Sequence, residues 1–284
     1  MISVSLAFNL FHPADIYRDI VMTKQLYMEE RRRHILEKLN ETGRVSVNDL
    51  SDWLDVSAVT IRQDLRALEQ ENLLERTHGG AVLRRDNGAA SDLSFEVRNR
   101  VNHSAKDALA KKAASLVHNG YSIALDASST CFRMLPYLKQ LERLIIVTNS
   151  LMIAQNCLDS PQIEVFMPGG KLRRDSISLV GKPDELPDIN LNCGFFGANG
   201  ISRVAGITES SRAEVEIKQA IMSHCLNVYF VLDSTKWGKV SPFTLAAPTD
   251  PNVGRYNVIT SKSAPVDEVR TYQEHGVGFV LIAD

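Results

Sequence analysis

This chain of 284 residues predicts an α/β fold in two unequal parts, on three observations. Near its start, three short amphipathic helical patterns run into an alternating stretch interrupted by Gly79-Gly80. From about residue 95 onward, apolar runs alternate with helical patterns, the signature of a Rossmann-like parallel sheet covered on both faces. Between the two lies RRDNGAASDLS (84–94), a polar stretch with the composition of a linker. The expected division is therefore a small α+β unit over 28–83, a linker over 84–94 and a larger α/β domain over 95–284.

The small unit reads element by element. MEERRRHILEKLNETG (Met28 to Gly43) places Ile35, Leu36 and Leu39 on one helical face, and Gly43 suits a left-handed C-cap. Ser46-Val-Asn-Asp49 resembles a capping box opening a short helix through Leu50, Trp53 and Leu54. Asp55 and Val56 form a tight turn, and Ser57 caps a third helix whose buried stripe is Ile61, Leu65 and Leu68. LLERTHGGAVL (73–83) alternates around Gly79-Gly80 and reads as a β-hairpin. Three helices plus such a wing make a winged helix-turn-helix, with SAVTIRQDL (57–65) as recognition helix. Arg and Gln near a helix N-terminus can hydrogen-bond base edges in the major groove. The candidate DNA-contacting residues are Ser57, Val59, Thr60, Arg62, Gln63, Arg66, and Arg76 and His78 of the wing. Arg31 to Arg33 are a second basic feature, read either as phosphate contacts or as a solvated helix face.

Charge constrains the class of binder. Basic and acidic residues nearly balance between Met28 and Arg85, and the whole chain carries a formal charge of −2. A nonspecific nucleic-acid coater is more basic than this, whereas a sequence reader needs only a few well-placed positives.

The larger domain opens with a helix over 95–118. Strand-like runs follow at 121–126, 143–148, 163–167, 193–198, 227–233, 256–260 and 277–283, with helices around 130–139, 151–158, 211–225 and 265–275. Ligands of such sheets bind at the carboxyl ends of the strands. Asp126-Ala-Ser-Ser-Thr130 follows one strand and opens a helix, where Ser128, Ser129 and Thr130 offer hydroxyls to a phosphate; a plain helix cap accounts for only one of them. Asp233-Ser-Thr-Lys236 follows another strand and brings a cation. Glu214 and Lys218 stand at i and i+4 on a helix, where a surface salt bridge is the plainest expectation.

These features together resemble the DeoR family of bacterial transcriptional repressors, from about Met28 to the C-terminus. The resemblance rests on RRRHIL, on T-I-R-x-D-L in the recognition helix and on H-G-G-A in the wing. It continues through Asp126 and Ser128 to Thr130, T-N-S (148–150), G-G (169–170), S-L-V-G (178–181), G-A-N-G-I (197–201), G-I-T (206–208), the E-V-E-I-K helix and D-S-T-K-W-G (233–238). Two departures are Ser261, where the family often has Asp, and a lengthened segment APTDPNVGR before that strand. The resemblance implies a helix-turn-helix from about Val45 to Asp64 and an effector domain similar in fold to ribose-5-phosphate isomerase and glucosamine-6-phosphate deaminase. It also implies that Asp126, Ser128, Ser129 and Thr130 hold a sugar phosphate, with Glu214, Lys218 and Lys236 around it. Proteins of this resemblance begin just before the first helix, so residues 1–27 are expected to be an extension, disordered or translated from a misassigned start.

Other chemistries find little support. Cys131, Cys157, Cys193 and Cys225 are widely spaced and fit buried thiols of a reducing cytoplasm, not a metal site or disulfide frame. Gly194, Gly197 and Gly200 miss the dinucleotide fingerprint, and Gly169-Gly-Lys171 misses the P-loop. No apolar run reaches membrane-span length. No cofactor, metal or catalytic residue is predicted. The expectation is a repressor of a sugar-utilisation operon, cytoplasmic and homo-oligomeric, whose partners are double-stranded operator DNA and a phosphorylated sugar. The alternative is a sugar-phosphate isomerase or deaminase using Glu214 and Lys218 as acid–base groups.

Overall fold

The computed structural model describes residues 28–39, 42–70, 73–82, 95–181, 186, 188–247, 250 and 252–282. The expectations for 1–27 and for the 84–94 linker lie outside the described residues. The chain forms two compact units, Met1–Arg84 and Arg85–Asp284.

In the first unit, α1 (28–39) buries Ile35, Leu36 and Leu39, and Gly43 adopts φ +72 as its N–H returns to Leu39 O at 2.8 Å. Strand β1 (Arg44–Ser46) leads into α2 (Val47–Leu54), which Ser46 caps by accepting the Asp49 N–H at 3.1 Å. Asp55 then turns left-handed at φ 50 and delivers the chain to α3 (Ala58–Gln70). Ile61, Leu65 and Leu68 of α3 are buried completely, as is the α1 face, and Leu50 of α2 is 2 % exposed. Each such fully buried side chain contributes roughly 1.5–3 kcal/mol. The wing strands β2 (Glu75–Thr77) and β3 (Gly80–Val82) pair antiparallel, and β3 also pairs with β1. Sequence periodicity missed β1 because three residues show no alternation. Its pairing explains Gly80, where a Cβ would stand 1.9 Å from Val45 O.

The second unit opens with α4 (Phe95–Arg100) and α5 (His103–Ala114), not the continuous helix expected over 95–118. Asn102 breaks the helix in the left-handed region at φ 53, a conformation that Asn tolerates better than most residues. There follow β4 (Ser122–Leu125), the short helices α6 (Ser129–Phe132) and α7 (Leu135–Leu138), β5 (Leu144–Thr148), α8 (Leu151–Asn156) and β6 (Ile163–Phe166). The hairpin β7 (Lys171–Arg173) and β8 (Ser178–Val180) precedes β9 (Leu191–Phe196). Next come β10 (Gly200–Ser202), β11 (Gly206–Glu209), α9 (Arg212–Ser223), β12 (Cys225–Val231) and β13 (Phe243–Ala246). The last elements are β14 (Tyr256–Ser261), α10 (Val266–Glu274) and β15 (Gly278–Ile282).

All seven expected strands join one parallel sheet in the order β15-β14-β12-β9-β4-β5-β6. Neighbouring residues along a strand enter different apolar layers. Ala124, Phe196 and Val258 join one; Leu125, Phe195 and Ile259 join the other. That double coverage explains why these strands read as continuous apolar runs. The two small antiparallel sheets, β10-β11-β13 and β7-β8, were not anticipated, since their strands are only three or four residues long. No helix among the described residues is long and apolar enough to cross a membrane.

The sheet order fixes where a ligand belongs. The chain runs outward from β4 through β5 to β6, then returns to place β9 on the other side of β4. The β4/β9 boundary is therefore the topological switch point, the crevice where open α/β sheets bind ligands.

Candidate functional site

Asp126 and Gly197 leave the carboxyl ends of β4 and β9 and meet there. The Asp126 carboxylate accepts Gly197 N–H at 2.8 Å and Ser128 N–H at 3.0 Å, stitching the two loops together. Gly197 has no room for a side chain, because a Cβ would lie 2.5 Å from Ser128 Cβ. Beneath them sits Lys218 of α9, whose ammonium donates to Asp126 (2.8 Å), Glu209 (2.5 Å) and Gly197 O (3.0 Å). Burial would depress its pKa, but Asp126, Glu209 and Glu214 outweigh that and hold it charged. Asp126 feels the same balance: burial would raise its pKa, and the Lys218 charge with the Lys218 and Ser128 hydrogen bonds carries it below the usual carboxylate value. For Glu209 burial prevails over Lys218, and its pKa is raised.

The surface salt bridge expected between Glu214 and Lys218 is not what the fold builds. Both residues are buried, and Lys218 turns to Asp126 and Glu209 while Glu214 Oε1 accepts from Ser176 Oγ (2.8 Å) and Ser178 Oγ (3.0 Å). Their spacing was legible; the β7-β8 hairpin that covers them was not.

A cleft of about 670 Å³, open to solvent, lies over this network. Ser128, Ser129, Thr130, Glu214, Lys218 and Lys236 all line it, with Asp126 just beneath. Ser128 acts as a cap, its Oγ accepting the Cys131 N–H at 3.2 Å, and Ser129 Oγ donates to Arg98 O at 3.3 Å. Sequence reading missed Arg98, Lys106, Arg173 and Glu209 in the lining, and had Asn199 and Asp233 only within motifs. Lys106 is the most consequential of these. It is 6 % exposed, and its ammonium donates to Arg98 O (2.5 Å) and Val101 O (2.8 Å), carbonyls at the α4–α5 break. Burial lowers its pKa to about 7; Asp233 opposes the shift, and Lys236, Arg98 and Arg133 add to it. The Lys236 pKa is likewise lowered, by burial against the pull of Asp233. In the sequence Lys106 looked like any lysine of a polar helix, and only the bend at Asn102 turns it inward.

In the first unit, Val59, Arg62, Gln63 and Arg66 project from the exposed side of α3, Val59 being 62 % exposed. Ser57 caps that helix by accepting the Thr60 N–H at 3.1 Å, and its hydroxyl meets Thr60 Oγ1 at 2.9 Å. Arg62, Arg76, His78 and the first residues of α2 border a single concavity. The Arg76 guanidinium lies 3.9 Å from Glu69, while His78 is exposed at the wing turn. Arg31 and Arg32 turn inward and grip Asp64 of α3 at 2.5 and 3.1 Å; Arg33 pairs along its own helix with Glu30 and Glu37. Asp64 is only 2 % exposed, so Arg31 and Arg32 tie α1 to α3.

Residues 31–86 match the DeoR-like helix-turn-helix domain and residues 101–253 match the DeoR C-terminal sensor domain. The chain belongs to the DeoR family. As a DeoR-family member it is a DNA-binding transcriptional regulator. Its relatives include the HTH-type transcriptional regulator GolR of Listeria innocua, 33% identical over 75% of this chain and 84% of that protein. The L-fucose operon activator of Haemophilus influenzae is 31% identical, over 89% of this chain and all of its own length (100%). The glycerol-3-phosphate regulon repressor of Escherichia coli is 27% identical over the same shares, 89% and 100%. Ribose 5-phosphate isomerase A from Methanocaldococcus jannaschii overlays 48% of this chain and 55% of its own at a TM-score of 0.37 and 15% identity, which adds nothing to the sheet order described above.

Proposed function

We propose that this DeoR-family protein represses a sugar-utilisation operon in the bacterial cytoplasm and releases its operator when a phosphorylated sugar enters the switch-point cleft. The observation that carries this reading is the cationic end of that cleft, where Arg98, Lys106 and Lys236 gather beside the Ser128–Thr130 hydroxyls. A phosphate dianion there restores charge to Lys106 and satisfies donors that otherwise turn to backbone carbonyls. Ser57, Val59, Thr60, Arg62, Gln63, Arg66, Arg76 and His78 form the DNA-reading face in this reading, with Arg62 and Gln63 on base edges. One recognition helix spans few base pairs, so a homo-oligomer on a two-fold site supplies the specificity.

Release follows from what the ligand displaces. Arg98 O accepts from both Lys106 and Ser129, so a phosphate that takes those donors loosens the end of α4, the first described element after the expected linker. The ligand then favours a conformation with poor DNA affinity, as it must to shift the equilibrium. Names among the relatives include both repressors and an activator, and the cleft is compatible with either sign of control. Acid–base turnover is the weaker reading, because all three protons of Lys218 are engaged. The test is fluorescence anisotropy on DNA upstream of the protein's own gene, with wild type and Lys236→Ala. Both should bind DNA alike, and a sugar phosphate should release only the wild type. Turnover of a sugar phosphate, or an unchanged ligand response in the variant, would overturn it.

A further inference from the structure

The cleft is electrically uneven. The charges acting on Lys106 are Asp233, Lys236, Arg98 and Arg133, three of them positive. Those acting on Lys218 are Asp126, Glu209 and Glu214, all carboxylates. Anchoring a phosphate among the first group leaves the remainder of a ligand to meet the second. Glu214 is the informative member. It is 6 % exposed, and Oε1 takes both serine hydroxyls, while no described residue donates to Oε2. Arg173 Nη1 stands 3.9 Å from Oε1, the oxygen already satisfied. Oε2 therefore keeps contact with the cleft that Glu214 lines, where a carboxylate oxygen accepts only from O–H or N–H partners.

We propose that Glu214 selects the far end of the phosphorylated ligand, accepting a hydroxyl or ammonium there and rejecting a second anionic group. This rests on the phosphate-binding reading above. A site built to hydrogen-bond a substrate hydroxyl discriminates strongly against an analogue that cannot supply it, because its own polar group is then stranded.

The test is calorimetric titration of the full chain at pH 7.5 with inorganic phosphate, glucose 6-phosphate, glucosamine 6-phosphate and 6-phosphogluconate. The two sugars with donor tails should bind at least about tenfold more tightly than inorganic phosphate, and 6-phosphogluconate about tenfold more weakly than glucose 6-phosphate. Glu214→Gln keeps an acceptor for Ser176 and Ser178 and offers a donor amide. It should shrink that preference several-fold by weakening the two sugars more than inorganic phosphate, and Glu214→Asp should retain the preference. The inference is overturned if 6-phosphogluconate binds as well as glucose 6-phosphate, if the sugars gain nothing over inorganic phosphate, or if Glu214→Gln weakens every ligand alike. Failure of all four to bind, inorganic phosphate included, would instead remove the phosphate-binding reading beneath it.

Discussion

Lys106 shows how much one side chain can change the chemistry of a cleft. With its pKa lowered to about 7, it is largely neutral at pH 8 in the folded protein. An unfolded lysine is still protonated there, so the fold binds fewer protons than the unfolded chain between about 7 and the ordinary lysine value. Its contribution to stability therefore rises with pH across that window and is level below it. A phosphate dianion nearby reverses the shift. Ligand binding at pH 8 should take up close to one proton, seen as heats that change with buffer ionisation enthalpy, and Lys106→Met should remove most of that uptake. On the DNA-reading face, Arg62→Ala should lose about 1–3 kcal/mol of operator affinity and relax preference at one base pair, leaving ligand binding unchanged. Operator binding equal to wild type would remove Arg62 from base readout. The exposed place of Arg62 was legible, because helical periodicity puts it off the buried Ile61, Leu65 and Leu68 stripe. Lys106 was not, because its role depends on a left-handed Asn102 that sequence periodicity does not register.

The α9 helix and the loops after β4 and β9 act as one element, joined by Lys218. Its ammonium links two buried carboxylates and a carbonyl. Lys218→Met should strand Asp126 and Glu209 and lower stability by about 3–5 kcal/mol, measured by urea denaturation. A change below about 1 kcal/mol would contradict the structural role given to it. In the first unit the matching element is the wing. Gly80→Ala puts a methyl against Val45 O, so β1 and β3 should separate and DNA affinity fall while the ligand response of the second unit stays intact. Long elements such as the seven parallel strands could be read from the sequence because double burial makes each a continuous apolar run. The three-residue strands of the β7-β8 hairpin and the β10-β11-β13 sheet carry no such signature. Ser176 and Ser178 of that hairpin bond Glu214, and β11 carries Glu209, so Glu209 and the burial of Glu214 stayed hidden until the fold was in view.

For the whole molecule, the proposed function gives its two compact units two different sites, and regulation is then the free energy that couples them. That coupling is reciprocal: whatever factor a ligand removes from DNA affinity, DNA must remove from ligand affinity. The most direct test measures both sides of that cycle on the full chain, DNA binding by anisotropy with and without a phosphorylated sugar, and sugar binding by calorimetry with and without operator. Equal factors of roughly 5–150 in the two directions are expected, both collapsing to one in Lys236→Ala. Tight binding of both ligands with no mutual effect would contradict the account.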